Sequence, residues 1–176
     1  MLICNPNGAY LQYFALESEY INFYLDKGYK IILWNYRGYG CSTGSPSISR
    51  SISDVKIIYN YAMHELHLHP VIVHGYSIGG SPAINLAKEE SEKIKLLIAD
   101  RTFNSIDDVN SYYIEMSEMI GKGLKSLTKI LFYFDCFDMG KIYSKVKCNK
   151  LIIWDSMDEV ISDASSLKRR VLMNYL

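Results

Sequence analysis

The sequence predicts an α/β fold, with a predominantly parallel sheet and helices on both faces. Three features carry that expectation. Short apolar runs recur along the 176 residues. Between them lie longer stretches with apolar residues at helical spacing. Glycine-, asparagine- and serine-rich turns separate the two kinds of segment. Strands that alternate with helices form βαβ units, and right-handed crossovers then distribute the helices over both faces.

Met1 to Cys4 reads as a buried strand that ends in the turn-rich Asn5-Pro6-Asn7-Gly8. Tyr10 to Lys27 carries Leu11, Phe14, Ile21, Tyr24 and Leu25 at helical spacing, and Gly28 supplies the stop. Lys30 to Trp34 (KIILW) is a second strand, and Asn35 to Pro46 (NYRGYGCSTGSP) is loop. Ser51 to Leu66 is helical, with Ile52, Val55, Tyr59, Ala62 and Met63 toward one side. Val71 to Val73 is the third strand, and a helix runs from Ser77 to Lys88. Lys95 to Ala99 and Lys150 to Trp154 complete the strands, and Ala164 to Tyr175 is the last helix. Residues 104 to 146 break the alternation. They are expected as a helical, cap-like insertion within one domain spanning 1–176, over the end of the sheet where loops gather.

Composition narrows the function classes. The chain carries 19 basic and 19 acidic side chains, a balance unlike that of a nucleic-acid binder. The short cluster Lys168-Arg169-Arg170 is read as the wet face of the terminal helix. Cys4, Cys41, Cys136 and Cys148 form no CxxC pair, so neither a zinc ribbon nor a disulfide framework is expected. No apolar run approaches the ~20 residues of a membrane span, and MLICNPNG lacks the pattern of a secretory signal. An intracellular, cytoplasmic location is the expectation.

The chemistry concentrates in Gly75-Tyr76-Ser77-Ile78-Gly79, a G-x-S-x-G pattern that follows the strand VIV and opens the helix GSPAINLA. Such a turn holds a serine in strained backbone geometry. Small neighbours avoid clashes, and the hydroxyl stands at the positive N-terminus of a helix. Acyl transfer also needs donors for an oxyanion; the expected ones are the backbone N–H of Ile78 and that of Asn7 in the loop after the first strand.

These pieces resemble the α/β-hydrolase superfamily, most closely the α/β-hydrolase-domain branch that includes esterases and protein depalmitoylases. The matching stretches are NPNG, NYRGYGCSTG, HGYSIGG, DRTF (100–103) and DSMDEVIS (155–162), in family order and over nearly the whole chain. The resemblance implies Ser77 as nucleophile and Asp158 as triad acid, with Asp155 the second candidate. It implies ester, thioester or amide hydrolysis without a cofactor, on a small acyl ester or an acylated protein. It also implies a strand order in which KIILW lies outermost, then Met1–Cys4, Val71–Val73, Lys95–Ala99 and Lys150–Trp154.

The same resemblance exposes a gap. The family order is serine, acid, histidine, with further strands before the oxyanion strand and a histidine after one more strand. Here His64, His67, His69 and His74 all precede Ser77. His74, three residues before the serine, is expected in packing rather than as the base. The cluster His64, His67 and His69 is read as a helix end rather than a metal site. Three readings compete: a fragment of a longer serine hydrolase, a catalytically inactive module whose sheet edges are covered by protein partners, or a hydrolase that takes its base from elsewhere. The aromatic stretch Leu131 to Phe137 is expected as core packing, with an acyl pocket as the alternative.

Overall fold

The computed structural model describes residues 1–12, 19–112 and 137–173. Its sheet has four parallel strands: β1 (Leu2–Cys4), β2 (Val71–Tyr76), β3 (Ile94–Asp100) and β4 (Asn149–Ile153), ordered as numbered. The helices are α1 (Glu19–Asp26), α2 (Ile48–His64), α3 (Gly80–Glu89), α4 (Met139–Ser144) and α5 (Leu167–Met173). This is the parallel α/β architecture expected from the alternation.

Strand parity decides which face each residue serves. Leu2, Val73, Leu97, Ala99 and Ile152 pack with residues of α2, α3, α4 and α5 in the largest apolar cluster. Ile3 and Ile72 point the other way and pack with Ile21, Tyr20 and Tyr24 of α1. The crossovers thus place helices on both faces, unequally.

Several elements differ from their expected bounds. Lys30 to Trp34 is not a regular strand; only Ile32 bridges Leu2, through Ile3 N–H to Ile32 O (3.0 Å) and Ile32 N–H to Met1 O (2.8 Å). It lies at the expected outer edge, beside β1, but a single bridge does not make a ladder. β2 runs three residues further than Val71 to Val73, because β1 and β3 pair with it as far as Gly75 and Tyr76. The helix expected at Ser77 begins as a 3-10 turn, Ser77–Gly79, and becomes α-helical at Gly80. The terminal helix opens with the 3-10 turn Asp163–Ser165 before α5. Residues 106–112 are helical, but most of the 104–146 insertion, and Leu131 to Cys136 of the aromatic stretch, lie outside the described residues. Phe137 is described and packs against two of the apolar clusters.

The basic cluster near the C-terminus is not simply a wet face. Lys168 stands 3.6 Å over the Trp154 ring and pairs with Asp163, and Arg170 pairs with Asp138 at 3.0 Å. These residues fasten α5 to the loops around it. The free cysteines among the described residues are Cys4, Cys41 and Cys148.

Close backbone approach fixes the β2–α3 junction. A Cβ on Gly79 would collide with the Cys4 carbonyl, and one on Gly80 with the side chain of Thr102. Gly79→Val is therefore expected to force β1 and α3 apart, at a cost of about 1–3 kcal/mol or more in unfolding free energy. Urea denaturation followed by circular dichroism measures it, and an unchanged midpoint would contradict the packing described here.

Candidate functional site

The junction places Ser77 at the carboxyl end of β2. Its φ is 53°, in the left-handed region that costs a non-glycine residue energy. The strain is held from outside: Thr102 Oγ1 donates to the Ser77 carbonyl at 2.7 Å, and Gly79 sits against the Cys4 carbonyl. Ser77 remains partly exposed at the rim, while Gly75, Gly79 and Gly80 are buried. Gly75 is as constrained as Gly79, since a Cβ there would lie 2.6 Å from that of Ala83.

Of the sequence-predicted oxyanion donors, Ile78 lies in this turn and Asn7 in the loop after β1. Ile78 is the second residue of the 3-10 turn, where a first-turn amide has no preceding helical carbonyl to meet. Its side chain packs against two apolar clusters. The loop after β1 passes beside Gly79 and is tied down at each step. Asn5, fully buried, donates Nδ2–H to Trp34 O at 2.9 Å, and Tyr36 O–H donates to Asn5 O at 2.8 Å. Asn7 is exposed, and its Oδ1 accepts a hydrogen bond from Tyr39.

Asp158, itself half-buried, follows β4 in an otherwise exposed turn. Its Oδ1 accepts from Val160 N–H at 2.8 Å and Ile161 N–H at 2.9 Å. Asp155, the second candidate, is exposed and accepts from Met157 N–H at 2.9 Å. Both carboxylates therefore hold turns, as short acidic side chains do.

Asp100 and Arg101 of DRTF form a charged cluster to which the sequence alone assigns no role. Asp100 ends β3 and is 4% exposed. Arg101, at φ 43°, donates its backbone N–H to Ile153 O at 2.8 Å and its Nε–H to Asp100 at 3.0 Å. Its guanidinium carbon lies 4.4 Å from the ring centre of Tyr76, the residue before Ser77. Burial lowers the basicity of Arg101. The Asp100 contact, with help from Tyr76 and Asp158, more than reverses that. Arg101 thus links the serine turn, the end of β3 and the acid loop electrostatically. A carboxylate followed directly by a cation at a strand end was the available signal.

His74 sits behind this group, fully buried on the α1 side. Its Nδ1 faces the Tyr20 hydroxyl and, at 3.2 Å, that of Tyr24. Its Nε2 is 3.3 Å from Asp100 Oδ2 without hydrogen-bond geometry. His74 is a packing residue, as expected. His64 ends α2, and His67 and His69 precede β2, at the opposite end of that strand from Ser77. Among the described residues no group of three or more His, Cys, Asp or Glu could hold a metal ion.

Burial pushes the Asp100 carboxyl up, but its contacts with His74 and Arg101 hold it below the ordinary carboxylate value. A depressed folded value adds stability above the unfolded carboxylate pKa of ~3.9, and that stability is lost as pH falls through the folded value. Asp100→Asn should therefore destabilise the fold at pH 7 and flatten the loss of stability below about pH 4. Thermal melts across pH 3–7 test this, and parallel profiles for the two proteins would contradict it.

A family model described as alpha/beta hydrolase fold matches residues 4–131. Protein bem46 of Schizosaccharomyces pombe is 39% identical over 93 residues, covering 49% of this chain and 30% of that protein. The alpha/beta hydrolase domain-containing protein WAV2 of Arabidopsis thaliana is 30% identical over 106 residues, covering 58% of this chain and 34% of that one. Among solved structures, the Pyrococcus furiosus esterase Pf2001 superposes with a TM-score of 0.71 at 17% identity, over 98% of this chain and 68% of the esterase. Mouse alpha/beta hydrolase domain-containing protein 10 gives 0.58 at 18% identity, over 98% and 74%. The chain thus spans about a third of the length of the two curated relatives named here. A similar protein of Saccharomyces cerevisiae is called an uncharacterized membrane protein. No helix among the described residues of this chain is long and apolar enough to cross a membrane.

Proposed function

The chain belongs to the α/β-hydrolase fold family, and from that premise we propose that Ser77 is the nucleophile of a serine hydrolase acting on an ester, thioester or amide. The observation that carries this reading is the left-handed Ser77 at the mouth of the β2–α3 turn, partly exposed and braced by Thr102. In this reading the Ser77 hydroxyl attacks the acyl carbonyl, and the amides of Ile78 and Asn7 stabilise the oxyanion. Asp158 has one oxygen fixed by two amides and would orient a base with the other. The substrate is a small acyl ester or an acylated protein, and no cofactor is needed.

The base must come from outside these residues. Of the four histidines, His74 is buried behind Asp100 and the other three stand before β2. An imidazole reaching Ser77 and Asp158 has to be supplied in addition to this chain for full rate. Without it, a triad serine typically loses on the order of 10⁴–10⁶-fold in rate. The same observation favours the second reading, a catalytically inactive module that keeps the hydrolase fold for binding.

A fluorophosphonate probe with added free imidazole separates the two. The hydrolase reading expects slow labelling of Ser77 that accelerates with imidazole, disappears in Ser77→Ala and gains less from imidazole in Asp158→Asn. Tryptic mass spectrometry locates the adduct. No labelling of Ser77 at any imidazole concentration, in a protein with a native melting curve, establishes the inactive module instead.

A further inference from the structure

The two oxyanion donors are held in different ways. Ile78 belongs to the 3-10 turn and is carried by α3. Asn7 belongs to a loop that β1 holds only at its start, where Cys4 pairs with Gly75 of β2. The far end of that loop is exposed Asn7 and then Gly8, at φ 75°. A donor stabilises an oxyanion best when its direction is fixed before the charge develops. Asn7 therefore needs a second anchor.

Two tyrosines of the NYRGYG loop reach across to this segment. Buried Tyr36 donates its O–H to the Asn5 carbonyl at 2.8 Å. Tyr39 follows in a turn closed by its own N–H on the Tyr36 carbonyl at 3.0 Å. Its hydroxyl donates to Asn7 Oδ1 and accepts the Gly8 N–H. One phenol thus grips both the Asn7 side chain and the peptide after it. The Tyr39 ring stands edge-on to Tyr36, with centres 5.7 Å apart, and Tyr36 stands edge-on to Trp34 at 4.7 Å. Burial pushes the Tyr39 phenol above its ordinary value, so it stays a neutral donor at physiological pH. Among the described residues the Asn7 N–H donates to no backbone carbonyl. Tyr36, Tyr39 and Ile78 also line one small cavity, so the clamp adjoins the other donor.

We propose that Tyr39 is the positioning residue of the oxyanion hole: its hydroxyl holds Asn7 and Gly8 so that the Asn7 amide is aimed at the acyl oxygen when Ser77 attacks. Tyr39 acts through Asn7 rather than on the substrate. This inference deepens the hydrolase reading and rests on it.

The test is the rate at which a fluorophosphonate probe modifies Ser77 in the presence of imidazole, measured against probe concentration. The phosphonyl oxygen of the probe stands in for the acyl oxygen. Tyr39→Phe keeps the ring and its contact with Tyr36 and removes only the hydroxyl. It is expected to lower the maximal labelling rate by about tenfold, less than the ~10²–10³ lost with a donor itself, and to leave the half-saturating probe concentration within about twofold. Asn7→Ala removes the acceptor but keeps the amide, and a loss of the same size is expected. The double variant should be no slower than either single one, because both break the same bond. A residue that only supports the fold would instead lower the melting temperature and act independently of Asn7. Labelling of Tyr39→Phe at the parent rate would overturn the inference and leave the hydrolase reading standing, as would losses that multiply in the double variant. No labelling of Ser77 in the parent would overturn both. Should Tyr39→Phe fail to fold, Asn7→Ala decides alone from its exposed position, and the parent rate in that variant overturns the inference.

Discussion

The contact between the β2–α3 junction and the carbonyl end of β1 is the constraint on which the rest of the structure depends. Gly79 lies against the Cys4 carbonyl, and Gly80 against Thr102. Any side chain at either position would move α3 off the sheet. With α3 seated, the chain turns from β2 within three residues, and Ser77 makes that turn in the left-handed region. The Thr102 hydroxyl then fixes the Ser77 carbonyl and joins the turn to the end of β3. Strain at one residue is stored by packing at several others, the usual arrangement at functional sites.

The charged group at the end of β3 extends this brace. Asp100 receives Arg101, Arg101 covers Tyr76 and feels Asp158, and His74 stands beneath with two tyrosines of α1. Buried polar groups of this kind are costly unless each is met; Arg101 meets Asp100 and the α1 tyrosines meet His74 Nδ1, while His74 Nε2 has no hydrogen-bond partner among the described residues. The consequence is geometric: α1, the serine turn and the acid loop cannot shift independently. His74 belongs to this brace and is therefore withheld from any role at the serine hydroxyl.

Much of this was legible in the letters because the determinants are local. G-x-S-x-G after VIV identifies a turn through its small residues, and the strand and helix rhythm identifies the parallel sheet. DSMDEVIS places Asp158 in a loop where its carboxylate caps two amides, as turn-forming aspartates do. What was hidden depends on tertiary pairing. KIILW reads as a strand by composition, yet among the described residues it bridges β1 at one residue only. Lys168 and Arg170 read as solvated charge, but Trp154 and Asp138 come to them from distant segments. The uneven cover of the α1 side was equally invisible, since Leu151 and Ile152 are alike in sequence and opposite in environment.

The central physical claim is that packing compels Ser77 into a left-handed conformation. Comparing the stability of Ser77→Gly with that of Ser77→Ala addresses it most directly, because glycine relieves the strain and alanine does not. Ser77→Gly should unfold at higher urea than Ser77→Ala, by the equivalent of about 1 kcal/mol. If glycine proves equal or less stable than alanine, Ser77 is not held in that backbone state, and the account of the turn is wrong.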